Sequence, residues 1–303
     1  MVTRPLLANR GGVMAKAEGP LLPRRRLGAE LRRLRDTRTL EQVADETLIS
    51  TSKLSRLENG QGVPQPRDIR DLINYYEVDA PTAERLRRWM STGRRQAWWK
   101  EYSEVISQPL DAYLDFESGA SVIRAYAQSV IPGLLQTPEY AAHILRAIPP
   151  KKAPEQIAQL VEIRTRRQEI LLASDSPTRL ITVIDEAALR RIIGSEEETW
   201  QQLDRLKQLA DTRRVTIQIL PFEAGAHAGL MGMFTIFQFA DEIDRDIVSV
   251  ETHSGDRYLE EESSVLEYLR LFDSVSHTAM DPSDSQAFLT KIMSNLAPPK
   301  DKR

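Results

Sequence analysis

Apolar residues first fall into a regular pattern at Leu27, Leu31 and Leu34, spaced i, i+4, i+7, with Arg32, Arg33 and Arg35 off the stripe. That spacing predicts an amphipathic helix. After a break at Asp36–Arg38, the run Thr39-Leu40-Glu41-Gln42 reads as a capping box. In it the Thr39 side chain accepts the Gln42 backbone N–H, and Gln42 reaches back to the Thr39 N–H. The short helix this starts turns Val43, Ala44 and Thr47 inward. Ser50 supplies another N-cap after a turn of about three residues. The next short helix carries Leu54 and Leu57 inward and stops at Asn59-Gly60. Ile69, Leu72, Ile73 and Tyr76 mark a fourth helix, and a fifth runs from Pro81 through Leu86, Trp89 and Met90. Two short helices joined by a tight turn form a helix-turn-helix.

Farther along, helical patterns at about Pro138–Ala147, Pro154–Ala173, Asp185–Ile193, Glu196–Asp211, Glu261–Val275 and Ser283–Leu296 alternate with strand-like runs. The runs are Ser121–Ala127, Arg179–Ile184, Val215–Leu220, Met233–Phe239 and Ile247–Glu251, rich in Val, Ile, Thr and Phe. Three of them crowd together late in the chain, which favours an α+β domain over a regular doubly wound one.

The 303 residues suit two domains of ordinary size. Residues 1–23 and 297–303 read as disordered tails, 24–95 as the helix-turn-helix domain and 96–296 as an α+β regulatory and dimerisation domain. Met14 stays open as an alternative start. Composition changes the picture at one point only. Net charge is −3, yet residues 1–100 carry +8 and the remainder −11. A basic first third on an acidic body is the asymmetry expected when only one domain meets phosphate. There is no cysteine, which excludes disulfides, thiolate zinc sites and cysteine nucleophiles and fits a cytoplasmic protein. No apolar run approaches the ~20 residues of a membrane helix, and no signal peptide is recognisable.

The segment Glu41–Gly60 resembles the helix-turn-helix of the XRE (Cro/repressor-like) family. The matching positions are Ala44, where the two helices cross closely, Ile49-Ser50 at the turn, and the terminal Leu57-Glu58-Asn59-Gly60. It departs from the family at Leu48, where Gly is usual, and at Thr47, which replaces an apolar residue. Leu40 stands where some members place a phosphate-contacting Gln, leaving Thr39 or Gln42 to substitute. The resemblance implies a multidomain protein, with an all-α lambda-repressor-like helix-turn-helix domain followed by the α+β domain. It also implies a sequence-specific regulator that reads double-stranded DNA with the helix beginning after Ser50. With Leu54 and Leu57 inward, Thr51, Ser52, Ser55 and Arg56 are the candidate base contacts, Arg56 being suited to guanine O6/N7. Thr39, Gln42, Ser50, Lys53, Asn59 and Gln61 are the candidate phosphate contacts.

Beyond residue 100 the chain is similar to actinobacterial XRE regulators of the WhiJ type, whose long C-terminal domain of unassigned function is described as antitoxin-like. The similarity rests on Trp98-Trp99-Lys100, on Tyr126–Ala141 with its Ser-Val-Ile-Pro-Gly-Leu-Leu-Gln-Thr-Pro core, and on Val215–Phe222. It implies tuning by a small cognate protein or a ligand. The four histidines, His143, His227, His253 and His277, lack metal-ligand spacing. No phosphate loop, G-x-G-x-x-G or G-x-S-x-G pattern occurs. The expectation is therefore a homodimeric regulator with no catalytic residues, cofactor, metal or membrane partner. An antitoxin-like interaction protein and an enzyme with a DNA-targeting domain are the alternatives. Three further features stand out: the glycine-rich Gly225–Gly232 between two strands, the apolar Val130–Leu135, expected to pack inside, and Arg164, Arg166 and Arg167, read as a solvated face or an anion site.

Overall fold

The computed structural model describes residues 21–61, 63–94, 97–149, 151–173, 176–240, 245–252 and 256–296. Its contacts divide the chain into two compact units, Met1–Trp98 and Trp99–Arg303.

The first unit holds five helices among its described residues: α1 (Leu21–Arg35), α2 (Leu40–Thr47), α3 (Thr51–Glu58), α4 (Pro66–Tyr75) and α5 (Ala80–Arg94). Helix α1 starts earlier than its apolar stripe suggests. Leu21–Pro23, expected in the tail, form its first turn, and Leu22 and Pro23 are buried. Proline is tolerated there because first-turn N–H groups have no intrahelical acceptor. Residues 1–20 and 297–303 of the expected tails lie outside the described residues. The inward positions read from spacing meet in one core, where Leu27, Leu31, Val43, Ile49, Leu54, Leu57, Ile69, Leu72, Leu86 and Trp89 are all buried. Helices α1 and α2 are each followed by a residue with positive φ, Asp36 (φ 54°) and Leu48 (φ 58°), which turns the chain out of the helix.

The second unit is built on a six-stranded mixed sheet of order β3-β2-β1-β4-β5-β6. The strands are β1 (Val122–Ala127), β2 (Arg179–Asp185), β3 (Val215–Leu220), β4 (Phe234–Gln238), β5 (Ile247–Val250) and β6 (Arg257–Leu259). β1, β2 and β3 run parallel, while β4, β5 and β6 continue antiparallel on the other side of β1. Parallel pairing needs long crossovers. These are α7 (Pro138–Ala147) with α8 (Pro154–Leu172) between β1 and β2, and α9 (Glu186–Arg190) with α10 (Glu196–Ala210) between β2 and β3. Helix α6 (Gln108–Gly119) precedes β1, and α11 (Glu262–Thr278) and α12 (Pro282–Met293) follow β6. The α+β expectation thus holds in coarse form, with half of the sheet wound as in α/β proteins. Asp185 ends β2 and caps α9 by accepting the Ala187 N–H at 2.8 Å, rather than lying inside a helix. α6 and β6 escape the periodicity reading: Leu114, Asp115 and Phe116 are three consecutive buried residues, and β6 is only three residues long.

The segment Val130–Leu135 packs inward as expected, with Ile131, Leu134 and Leu135 buried. Its backbone is irregular, so its polar groups need side-chain partners. Glutamines provide them. Gln136 Nε2 donates to Ile131 O at 2.7 Å, Gln202 Nε2 to Leu135 O at 2.8 Å, and Gln168 Nε2 to Gln136 O at 2.6 Å.

Candidate nucleic-acid interface

The site is assembled around α2 and α3. The capping box forms at Thr39: its N–H donates to Gln42 Oε1 at 2.8 Å, and its Oγ1 accepts the Gln42 N–H at 3.3 Å. Ser50 caps α3 by accepting the Lys53 N–H at 3.4 Å. Between them Ile49 is buried and anchors the turn, as the apolar position of the motif requires. Leu48 takes the place of the usual glycine without a rebuilt turn. It adopts the left-handed conformation (φ 58°, ψ 23°), donates its N–H to Ala44 O at 2.9 Å, and exposes 85% of its surface. A non-glycine residue held there is strained by roughly 1–2 kcal/mol. Glycine at that point costs part of this back in unfolded-chain entropy. Leu48→Gly is therefore expected to stabilise the helical unit by about 0.5–1 kcal/mol, checked by thermal unfolding; an unchanged or lowered midpoint would count against the strain. Thr47, the other departure, satisfies its hydroxyl locally by donating to Val43 O at 2.6 Å.

On α3, Leu54 and Leu57 are buried, while Ser52 and Arg56 are exposed and Thr51 and Ser55 half-buried. The candidate base-contacting set therefore shares the side of α3 away from the core. The Arg56 guanidinium has no hydrogen bond or ion pair among the described residues. The candidate phosphate set is more divided. Thr39, Gln42, Ser50, Asn59 and Gln61 are exposed. Asn59 is partly occupied, its Nδ2 donating to Ser55 O at 2.8 Å, and the turn after α3 is made by Gly60 (φ 66°) rather than by Asn59. Lys53 is engaged within the domain, with its Nζ 2.6 Å from Oδ2 of the buried Asp68 on α4.

Two positioning devices were not read from the sequence. Arg35 of α1 grips Glu58 at the end of α3 through two bonds of 2.6 and 3.1 Å, and this hydrogen bond holds the Arg35 pKa above its ordinary value. Gly28 of α1 lies against the last turn of α3: a Cβ there would meet Leu57 O at 2.4 Å and Glu58 O at 2.6 Å. An isolated glycine inside a helical pattern was the available signal for the second. For the first there was none, since the two residues are 23 positions apart.

In the second unit the remaining candidates separate. Arg166 pairs with Glu101 and stays half-exposed, Arg167 is buried against Glu117, and Arg164 is half-buried on Gln136, so the three arginines do not share one solvated face. His143 lies 3.2 Å from Glu198, and His277 Nδ1 lies 2.7 Å from Asp273 O. His227 Nδ1 accepts the Gly229 N–H at 3.1 Å, with its Nε2 3.8 Å from Asp185 Oδ2. His253 lies outside the described residues. No group of three or more His, Asp or Glu that could hold a metal occurs among the described residues. The glycine-rich segment connects β3 to β4 through short 3-10 turns at Phe222–Ala224 and Ala228–Met231. Gly229 sits on the Tyr126 ring, where a Cβ would come within 2.5 Å.

Residues 26–86 match a helix-turn-helix domain family. No curated protein and no solved structure gives a significant match. Residues 110–291, more than half of the chain, match a second family, described as a domain of unknown function (DUF5753). The chain therefore belongs to the DUF5753 family and carries a helix-turn-helix domain ahead of the family's defining region.

Proposed function

We propose that the protein is a sequence-specific DNA-binding transcriptional regulator that places α3 in the major groove. The observation that carries this reading is the outward face of α3, where Arg56 is exposed without a partner among the described residues, beside the hydroxyls of Thr51, Ser52 and Ser55. An α-helix entering the groove reads bases from its N-terminal residues, and a guanidinium can bond guanine O6 and N7 together. Thr39, Gln42, Ser50, Asn59 and Gln61 would hold the backbone. Lys53 would add charge near phosphate while remaining shared with Asp68.

The protein would act in the cytoplasm as a homodimer, because one short recognition helix gives little affinity and two half-sites double the contacts. The second unit is read as a non-catalytic regulatory domain that receives a ligand or a small cognate protein. The acidity of residues 101–303 (net −11) favours a basic protein partner as the second reading, in line with the likeness to WhiJ-type, antitoxin-like regulators.

The test is selection of bound sites from a random duplex library followed by gel-shift titration. A defined motif with two related half-sites is expected, and Arg56→Ala should cost about 1–3 kcal/mol of affinity and relax one position of each half-site. Absence of any sequence preference at moderate salt would remove the reading.

A further inference from the structure

A cavity of about 130 Å³ lies in the second unit between the sheet, α7 and α8. Its wall is mostly apolar: Ile123 and Ala125 from β1, Phe234 from β4, Ile131 from the irregular segment, and Ile144 from α7. One cation faces this wall. Arg164 of α8 donates through Nη1 to Gln136 Oε1 at 2.9 Å and to Ala141 O at 3.4 Å. Its Nε and Nη2 meet no acceptor, and the side chain has no ion pair, among the described residues. The contrast with Arg167, one turn along the same helix, is direct, since Glu117 neutralises that guanidinium through two short bonds. Burial, and then the charge of Arg167, pull the Arg164 pKa down to about 10, so it still carries its charge at neutral pH.

Arg164 is half-buried, and a partly desolvated guanidinium without a counter-ion gains from an anion placed against it. Glu117 pairs with Arg167 and not with Arg164; the acid on the cavity wall itself is Glu251. Burial, and then Asp256, hold the Glu251 carboxyl above its ordinary value. Glu251 also lies beyond ion-pair distance of Arg164 among the described contacts. The volume is close to the roughly 150 Å³ that admits benzene in a dry engineered cavity.

We propose that this cavity binds a small amphipathic carboxylic acid, its apolar body against β1 and α7 and its carboxylate on Nε and Nη2 of Arg164. An acyl or aryl group of about six carbons fills the space, and the planar fork of arginine matches the carboxylate. The proposal deepens the regulatory reading by naming the class of effector, but binding at this site does not require DNA.

The experiment is calorimetric titration of the full chain with hexanoate and benzoate, set against hexan-1-ol and hexylamine. Both carboxylates are expected to bind saturably, at least tenfold tighter than the alcohol or the amine. Arg164→Gln should erase that tenfold preference while leaving the alcohol affinity within twofold. In the unmodified protein, methyl resonances of Ile131, Ile144 and Met233 should shift on adding hexanoate, which tests the location without a variant. Equal affinity for hexan-1-ol, preference for hexylamine, or shifts confined to methyls elsewhere would each overturn the proposal. Selection of DNA sites reads separately: a failure there removes the regulator and leaves the carboxylate site standing, and the reverse outcome removes only the ligand class.

Discussion

Glu117→Ala is expected to cost the second unit about 3–5 kcal/mol, because it strands a buried cation. Arg167 Nε and Nη2 donate to Glu117 Oε1 and Oε2 at 2.7 and 2.6 Å, with only 8% of the arginine and 11% of the glutamate side chain exposed. Burial alone would depress the Arg167 pKa; the Glu117 carboxylate overrides it and holds the guanidinium above its ordinary range. Without that carboxylate the charge remains, buried and close to a second guanidinium at Arg164. The pair is therefore not equivalent to a surface contact such as Arg67–Asp71, which spans 3.6 Å with 78% of the arginine side chain exposed. Asp71→Ala should cost less than about 1 kcal/mol. Urea unfolding followed by hydrogen exchange of the β1–β3 amides isolates the second unit, and the Glu117→Ala midpoint should fall by about 1–2 M. Glu117→Gln, which keeps an acceptor and loses the charge, should fall between the two. A Glu117→Ala loss no larger than the Asp71→Ala loss would show that water reaches Arg167.

The contrast between Glu117 and Gly28 also marks what the sequence makes legible. Helices α2 and α3, with their caps at Thr39 and Ser50, follow from local rules acting over three or four residues, and their inward leucines reach the core as spacing requires. Most strands of the second unit are equally legible, since β-branched runs such as Val215–Leu220 alternate inward and outward positions. Pairing is another matter. Arg167 meets Glu117 across 50 positions, and on sequence grounds it is indistinguishable from Arg166, its half-exposed neighbour on the helix. Lys53 shows the same limit within the helical unit. Its place near the start of α3 suggests phosphate, while its observed partner, Asp68, comes from a later helix. Short-range patterning thus locates the candidate interface, and long-range packing decides which of its charges are free.

Gly28→Ala is expected to weaken both the fold of the helical unit and its hold on DNA, against the ordinary preference of helices. Alanine favours a helix interior over glycine by about 1 kcal/mol, so an unobstructed glycine in α1 would stabilise on replacement. At Gly28 the added methyl meets main-chain atoms instead: Leu57 O at 2.4 Å, Glu58 O at 2.6 Å and Glu58 C at 2.8 Å. Backbone carbonyls cannot rotate away as a side chain can, so α1 and α3 must part by several tenths of an ångström. Overpacking of this kind costs about 1–3 kcal/mol, and contact with main chain places it at the upper end, leaving a net loss of about 2 kcal/mol after the helix gain. The separation also pulls Glu58 from the two Arg35 bonds that fix the end of α3. A displaced α3 no longer presents Arg56 in register with the capped Ser50 turn, and operator affinity should fall about tenfold or more, which corresponds to roughly 1.4 kcal/mol. Ala29→Gly supplies the control. It changes the exposed next residue of the same helix, should cost about 1 kcal/mol of stability by propensity alone, and should leave affinity for DNA unchanged. Thermal unfolding and gel-shift titration of the two variants separate the causes. A Gly28→Ala protein that melts higher than its parent would mean that α1 and α3 can part without cost, and the close main-chain approach would then have no part in aiming α3.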